Sequence, residues 1–192
     1  MEFCDLVRSR RSVRSYLDKP VDEQILHEIM EAGMYAPSAV NFQPWYFVVI
    51  QSAEQRERLG RVMEQVSRNM EPSLKARFAN HPHVAEETVQ FIRCLGGAPV
   101  CILAFWHKTE YPKKESSIIQ SISAAIENIL LAAADKGLGA CWMTSPLEAN
   151  AEEEIRAMFA PEHGDLVAAI ALGYPKHIPA PPPRKEGRYT VI

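Results

Sequence analysis

The sequence predicts one domain that alternates helices and strands and pairs with a second copy of itself. Three features carry that expectation. Four short apolar runs, 45–51, 99–106, 137–145 and 165–175, have the composition of buried strands and adjoin Pro, Gly or Ser. The stretches between them repeat apolar residues every three or four positions, the helical period. One of these stretches, 117–136, is apolar on nearly every side, and a chain of 192 residues has few elements with which to surround it.

Each element has a local reason. A short helical stretch ends near Ser9. Residues 22–35 place Ile25, Ile29 and Ala32 on one face, with Leu26, Met30 and Gly33 beside it; Asp22 is the expected N-cap and Pro37 enforces the stop. WYFVVIQ, 45–51, reads as a buried strand, and Ser52 with Gln55 forms a capping box that opens the next helix. Residues 66–97 are the least decided: charges, an HPH triplet at 81–83 and a weak period predict helices joined by loops on the outside. PVCILAFW, 99–106, is a second core strand, followed by the polar loop HKTEYPKKES.

In 117–136 the residues Ile119, Ile122, Ile126, Ile129 and Ala133 recur at alternating steps of three and four. Ile118, Ala125, Leu130 and Leu131 widen the stripe. GLGACWMTS supplies a glycine stop and a third strand, Asn150 with Glu153 opens a helix, and DLVAAIALGYP is a fourth strand. From Pro179 to Pro183 the chain is proline-rich, so 176–192 is expected to lie extended along another surface, the partner's included. No repeat and no second domain is visible, and 1–192 reads as a single unit.

Composition bounds the function. A hydrophobic content of 47% supports a real core, and a net charge of -3 lacks the basic excess of a nucleic-acid or anionic-membrane binder. Cys4, Cys94, Cys101 and Cys141 form no CxxC pair, and Cys101 and Cys141 sit in apolar runs as small buried thiols. The N-terminus has no apolar stretch ahead of a cleavage site. Residues 118–134 are interrupted by Ser121, Ser123, Glu127 and Asn128, too polar for a membrane span. A soluble cytoplasmic protein is the expectation.

Against that slightly acidic background, RRSVRSY (10–16) concentrates Arg10, Arg11 and Arg14 with the hydroxyls of Ser12 and Ser15. Guanidinium forks and hydroxyls are what a phosphate monoester needs. A solvated basic turn making weak surface ion pairs is the plainer alternative. APSAVNFQPWYFVV (36–49) then places Ser38, Asn41 and Gln43 in a proline-bounded loop feeding a core strand. Their amides suit a flavin or a ribityl chain, and they suit an ordinary turn as well.

In this order and spacing, RRSVRSYLDKPV, a helix, APSAVNFQPWYFVVI, the stretch ISAAIENILLAAADKGLGACWMTSPLE and a closing ALGYP with a basic tail resemble the FMN-dependent nitroreductase family. The resemblance covers most of the chain and is weakest between 52 and 97. It implies an α+β fold: a central mixed, mostly antiparallel sheet flanked by helices, in an intertwined homodimer with one FMN in each of two interface sites. By this resemblance Arg10, Arg11 and Ser12 begin the phosphate and flavin-edge site, and Arg14 is a basic position nearby. Pro37, Ser38, Ala39 and Asn41 come from the other subunit to the ring and ribityl side. Ala39 stands where many relatives have a second serine. Pro146, Leu147 and Glu148 resemble the segment whose backbone N–H lies near flavin N5, with Ala149 where relatives often have glycine. Arg184 and Lys185 match distal basic residues that close over the phosphate. An Asn and a Lys or Arg from the middle helices are also implied, with Arg68, Asn69 and Lys75 as candidates.

The implied function is an FMN-dependent oxidoreductase working by a ping-pong cycle. NAD(P)H gives hydride to flavin N5 and leaves; a nitroaromatic, quinone or similar electron-poor acceptor takes its place. The flavin carries that chemistry, so no catalytic side chain and no metal is expected. Specificity is expected from 66–97 and from the 107–116 loop, where Trp106, His107 and Tyr111 either line an opening or simply pack. Two alternatives stand beside it: a flavin-sequestering protein with little turnover, and a same-fold enzyme that dehydrogenates a small substrate or removes halogen reductively. His81 and His83 read as loop residues rather than metal ligands, because Pro82 separates them and no third ligand is near. Gly137 and Gly139 belong to an incomplete GxGxxG, and Glu152, Glu153 and Glu154 are a charged first turn that complements the helix dipole.

Overall fold

Strand alternation decides the layout. In the computed structural model, which describes residues 2–108 and 115–192, the four predicted runs become β1 (Trp45–Ile50), β2 (Val100–Trp106), β3 (Gly139–Met143) and β4 (Leu166–Gly173). They form one sheet in the order β1-β2-β4-β3, and every neighbouring pair is antiparallel. Successive side chains on a strand point to opposite faces. β2 therefore sends Val100, Ile102 and Ala104 to one core and Cys101, Leu103 and Phe105 to the other. Both faces are covered, which is why the strands read as continuous apolar runs rather than as an alternation.

One face is covered by α2 (Glu23–Met34) and α5 (Glu115–Asp135). Asp22 caps α2 as predicted, its carboxylate accepting from the backbone N–H of Gln24 and Ile25. The buried stripe is Leu26, Ile29 and Gly33, one step round from the predicted face. Gly33 has a packing reason: a Cβ there would stand 2.7 Å from Ile129 Cγ1. α5 is long and apolar enough to cross a membrane by length and composition, yet Ile122, Ala125, Ile126, Ile129 and Ala133 are fully buried in this core. Ile119, the first residue of the predicted seam, is 42% exposed. Tyr111 and the rest of 109–114 lie outside the described residues.

The other face is built by α3 (Ala53–Arg77), α4 (Pro82–Cys94) and α7 (Glu152–Phe159), and here the sequence-based expectation needs correction. The undecided stretch holds the C-terminal part of a 25-residue helix and the whole of a second. Both are structural rather than peripheral: Leu59, Val62, Met63, Val66, Met70 and Leu74 are buried, as are Val89, Phe91 and Ile92. The period was diluted because the outer sides of α3 carry the pairs Arg61–Glu57, Arg68–Glu64 and Lys75–Glu71, each four residues apart. The HPH triplet is not a loop. His81 is the N-cap of α4, and Pro82 opens the helix, where its missing N–H costs nothing. Asn150 does not cap α7; it takes φ 55°, Ala151 stands at the cap, and the helix begins at Glu152.

Ser52 Oγ accepts from Gln55 N at 3.3 Å, one half of the capping box, while the Gln55 side chain accepts from Arg58 Nη1 at 2.8 Å. Cys101 and Cys141 are buried, and burial pushes the Cys101 thiol up to about 12. α1 (Phe3–Ser9) lies on α5 and has no buried residue, α6 (Ser145–Glu148) is a single turn, and the chain beyond Lys176 is mostly exposed.

Candidate functional site

The basic strip is laid along the margin of the sheet. Val13 N donates to Ala140 O at 3.0 Å, and the Ser12–Ala140 bridge is parallel, so the sheet is mixed at this edge. Further on, Tyr16 N donates to Gly96 O at 3.0 Å and Leu17 N to Tyr174 O at 2.8 Å. Val13 and Tyr16 are buried; the Tyr16 hydroxyl lies 2.6 Å from Val13 O and 3.1 Å from Ala171 O, and burial raises its pKa far above the usual phenol value. With those two side chains pinned inward, Ser12, Arg14 and Ser15 line a groove of about 960 Å³.

The opposite wall of that groove is α4. Gln90, Phe91 and Thr88 line it, with Glu86 and Glu87 further along and His177 on the tail side. The Arg14 guanidinium carbon lies 5.9 Å from the centre of the Phe91 ring. A left-handed turn brings the two walls together: Leu95, Gly96 and Gly97 take φ of 53°, 64° and 75° in succession. A Cβ on Gly96 would fall 2.2 Å from Arg14 O, so only glycine permits this approach.

Arg10 and Arg11 do not share the groove. Arg11 Nη1 donates to Arg8 O at 2.6 Å and Arg10 O at 2.7 Å, satisfying carbonyls at the end of α1. Arg10 Nε stands 3.5 Å from Glu127 Oε1 on α5. Both arginines line a separate, smaller cavity of about 240 Å³ beside Leu130, Ala134 and Ile178. A cluster that is continuous in sequence is divided in space.

The loop after α2 is held by its own polar groups. Ser38 Oγ accepts from Gln43 N at 2.9 Å, Ala39 N donates to Ser121 Oγ at 3.2 Å, and Gln43 Nε2 donates to Asn41 Oδ1 at 3.0 Å. Val40, Asn41 and Gln43 all take positive φ, 50°, 55° and 49°, each costing a non-glycine residue roughly 1–2 kcal/mol. Strain of that kind gathers at sites that bind ligands. Pro37 and Asn41 are exposed, and Pro37, Ser38, Ala39 and Asn41 line neither cavity described above. Within one chain the loop and the basic strip are not brought together.

Around α6, Pro146 is buried, Leu147 half-buried and Glu148 exposed. The Glu148 carboxylate accepts from Thr144 Oγ1 at 2.9 Å, and the backbone N–H groups of Leu147 and Glu148 both reach Thr144 O. Ser145 Oγ is buried without a hydrogen-bond partner among the described residues; nothing in the sequence signalled it. Arg184 and Lys185 lie in the exposed tail. Arg68, Asn69 and Lys75 are engaged along α3 by Glu64, Gln65 and Glu71, and none lines the groove. Gln90 and Phe91 do, and they were missed because the helix that carries them was not resolved from its pattern.

The Nitroreductase family matches residues 7–174. The chain is 33% identical over 183 residues to a protein of Methanothermobacter thermautotrophicus provisionally named NADH dehydrogenase/NAD(P)H nitroreductase, covering 93% of this chain and 80% of that one. It is 27% identical over 184 residues to iodotyrosine deiodinase of Thermotoga neapolitana, covering 95% and 93%. A structure of a provisionally named nitroreductase from Desulfovibrio desulfuricans, in complex with FMN, has a TM-score of 0.73 at 29% identity, covering 97% of this chain and 93% of that one. With the fold, the N-terminal motifs and this likeness in agreement, the chain belongs to the Nitroreductase family.

Proposed function

We propose that the chain is an FMN-dependent oxidoreductase that draws electrons from NAD(P)H and delivers them to nitroaromatics, quinones or similar electron-poor acceptors. The observation that carries this is the groove at Ser12 and Arg14. A cation, three hydroxyls, the Gln90 amide and the Phe91 ring converge on one space of cofactor size. FMN, when bound, supplies the two-electron chemistry. The chain supplies position and charge. Ser12 and Arg14 hold the flavin edge, where a guanidinium favours negative charge. Arg10, which lines the neighbouring smaller cavity with Glu127 beside its Nε, would meet the phosphate there rather than in the groove. Arg184 and Lys185 would bring further charge from the tail, and Pro146, Leu147 and Glu148 would help to hold the flavin. Arg11 contributes by fixing the end of α1, from which Arg10 projects.

A second copy completes the site by bringing in Pro37, Ser38, Ala39 and Asn41. In support, α1 exposes Phe3 and Val7 (68% and 44%), and Tyr35 and Val40 are 80% and 73% exposed. Large apolar side chains left this exposed suit an interaction face. The tail beyond Lys176 lies along that partner, and four free thiols suit the reducing cytoplasm.

The purified protein should be yellow, release FMN on denaturation and elute as a dimer. NADH or NADPH should bleach it, and a nitroaromatic or quinone should restore the colour. An FMN titration without binding, on a protein of single-chain mass, would sink the proposal. Reductive dehalogenation is the second possibility, favoured by the likeness to iodotyrosine deiodinase. Halide release from a halophenol by the dithionite-reduced protein, with both nicotinamides inactive, would favour it.

A further inference from the structure

We infer that the outer half of the groove is an acceptor subsite that selects neutral or cationic electron-poor aromatics over anionic ones, with Glu86 and Glu87 setting the preference. The inference rests on the proposal that the inner end, at Ser12 and Arg14, takes the flavin. The groove is polar at both ends and opposite in sign. Arg14 stands at the inner end, over the Phe91 ring, with His177 beside it on the tail. Glu86 and Glu87 sit on the α4 wall, and the apolar surface around them comes from Phe78 and Val84.

An anionic cofactor is drawn to the arginine end and repelled from the glutamates, so it does not fill the whole space. The remainder is walled by an aromatic ring, an aliphatic side chain and two carboxylates, which fits a flat ring with no negative substituent. Cations stand near on α3 and α4: Lys75, whose charge interacts with Glu86, is already held by Glu71 at 2.6 Å, the Arg77 guanidinium carbon lies 5.8 Å from the Phe78 ring centre, and the charge of Arg93 acts on Glu71. None of the three lines the groove, whereas Glu86 and Glu87 do. Because both glutamates are exposed, water and salt screen them, and the preference is a matter of a few-fold rather than orders of magnitude. Discrimination of this kind works by repelling the wrong ligand as much as by holding the right one.

The test uses FMN-loaded protein and three para-substituted nitroarenes of different charge: para-nitrobenzoate, para-nitrobenzyl alcohol and (para-nitrobenzyl)trimethylammonium. Wild type should show kcat/KM in the order cation, neutral, anion, with the cation-to-anion ratio shrinking as salt is added. In Glu86→Gln/Glu87→Gln that ratio should fall by about 3- to 10-fold at low ionic strength. Perturbation of the flavin absorbance by the same three probes reads the ratio at equilibrium, independently of turnover. A ratio unmoved in the FMN-loaded variant overturns the inference alone, as does a wild type that prefers the benzoate. If only the variant loses FMN, the salt series on wild type decides, and a flat series overturns the inference. A wild type that takes up no FMN overturns the flavin proposal, and this inference with it.

Discussion

Arg11 and Arg14 lie three positions apart in one strip and serve different ends. Arg11 folds back on the carbonyls of Arg8 and Arg10, because the last turn of α1 leaves acceptors that no helical N–H can reach. Arg14 follows Val13, which is pinned to Ala140, and so it turns outward onto the groove and over Phe91. Equal charge in the sequence becomes a helix cap in one place and a groove-lining cation in the other. What separates them is the partner that each backbone position finds.

The comparison breaks most severely at Gly96. Gly96→Ala sets a methyl carbon against Arg14 O, backbone against backbone, at φ +64°. We expect it to lower stability by about 2–4 kcal/mol, read as the denaturant midpoint. An unmoved midpoint would show that α4 does not clasp the strip. Arg14→Ala should weaken FMN binding by roughly 10- to 100-fold, since a charge-assisted contact is worth about 1.5–3 kcal/mol, and Arg10→Ala should fall in the same range. Fluorescence titration measures both.

Arg11→Ala sharpens the contrast. It should cost about 1 kcal/mol of stability while FMN affinity changes by less than about 3-fold. If Arg11→Ala and Arg14→Ala release FMN equally, the division of the strip is wrong.

The smallest effect belongs to the opposite end of the sheet, where charge depends on pH. His163 stacks on Tyr46 at 3.5 Å, and its Nδ1 lies 3.2 Å from His107 Nδ1. Burial, then the charge of His107, holds the His163 pKa below its usual 6.5. The unfolded chain therefore binds the proton more readily, so stability is undiminished above about pH 6.5 and declines as pH falls toward the lowered native value. His163→Phe, which keeps a ring on Tyr46, should flatten that decline. An identical pH dependence of Tm in variant and wild type would remove His163 from the account.

Much of this architecture was legible in advance, and the failures have specific causes. The strands were found because a sheet buried on both faces needs continuous apolar runs, and Asp22 and Ser52 were found because caps act over two or three residues. α3 was blurred because lysine–glutamate and arginine–glutamate pairs occupy its outer side, leaving a narrow buried stripe. Asn150 looked like a cap by residue type, but the chain turns left-handed there. Among the candidate site residues, Arg10 through Arg14 pointed to an anion, yet nothing local told that Arg10 would meet Glu127 or that Arg14 would share a groove with Gln90.

By itself the sequence determined the kinds of element, their order and the presence of a basic strip in an otherwise slightly acidic chain. Those properties depend on residues within a few positions of one another. Only the tertiary structure decided which cations share a space and with what. Val13 is anchored by Ala140 and Tyr16 by Gly96, residues far along the chain, and these anchors set which way each intervening side chain must point.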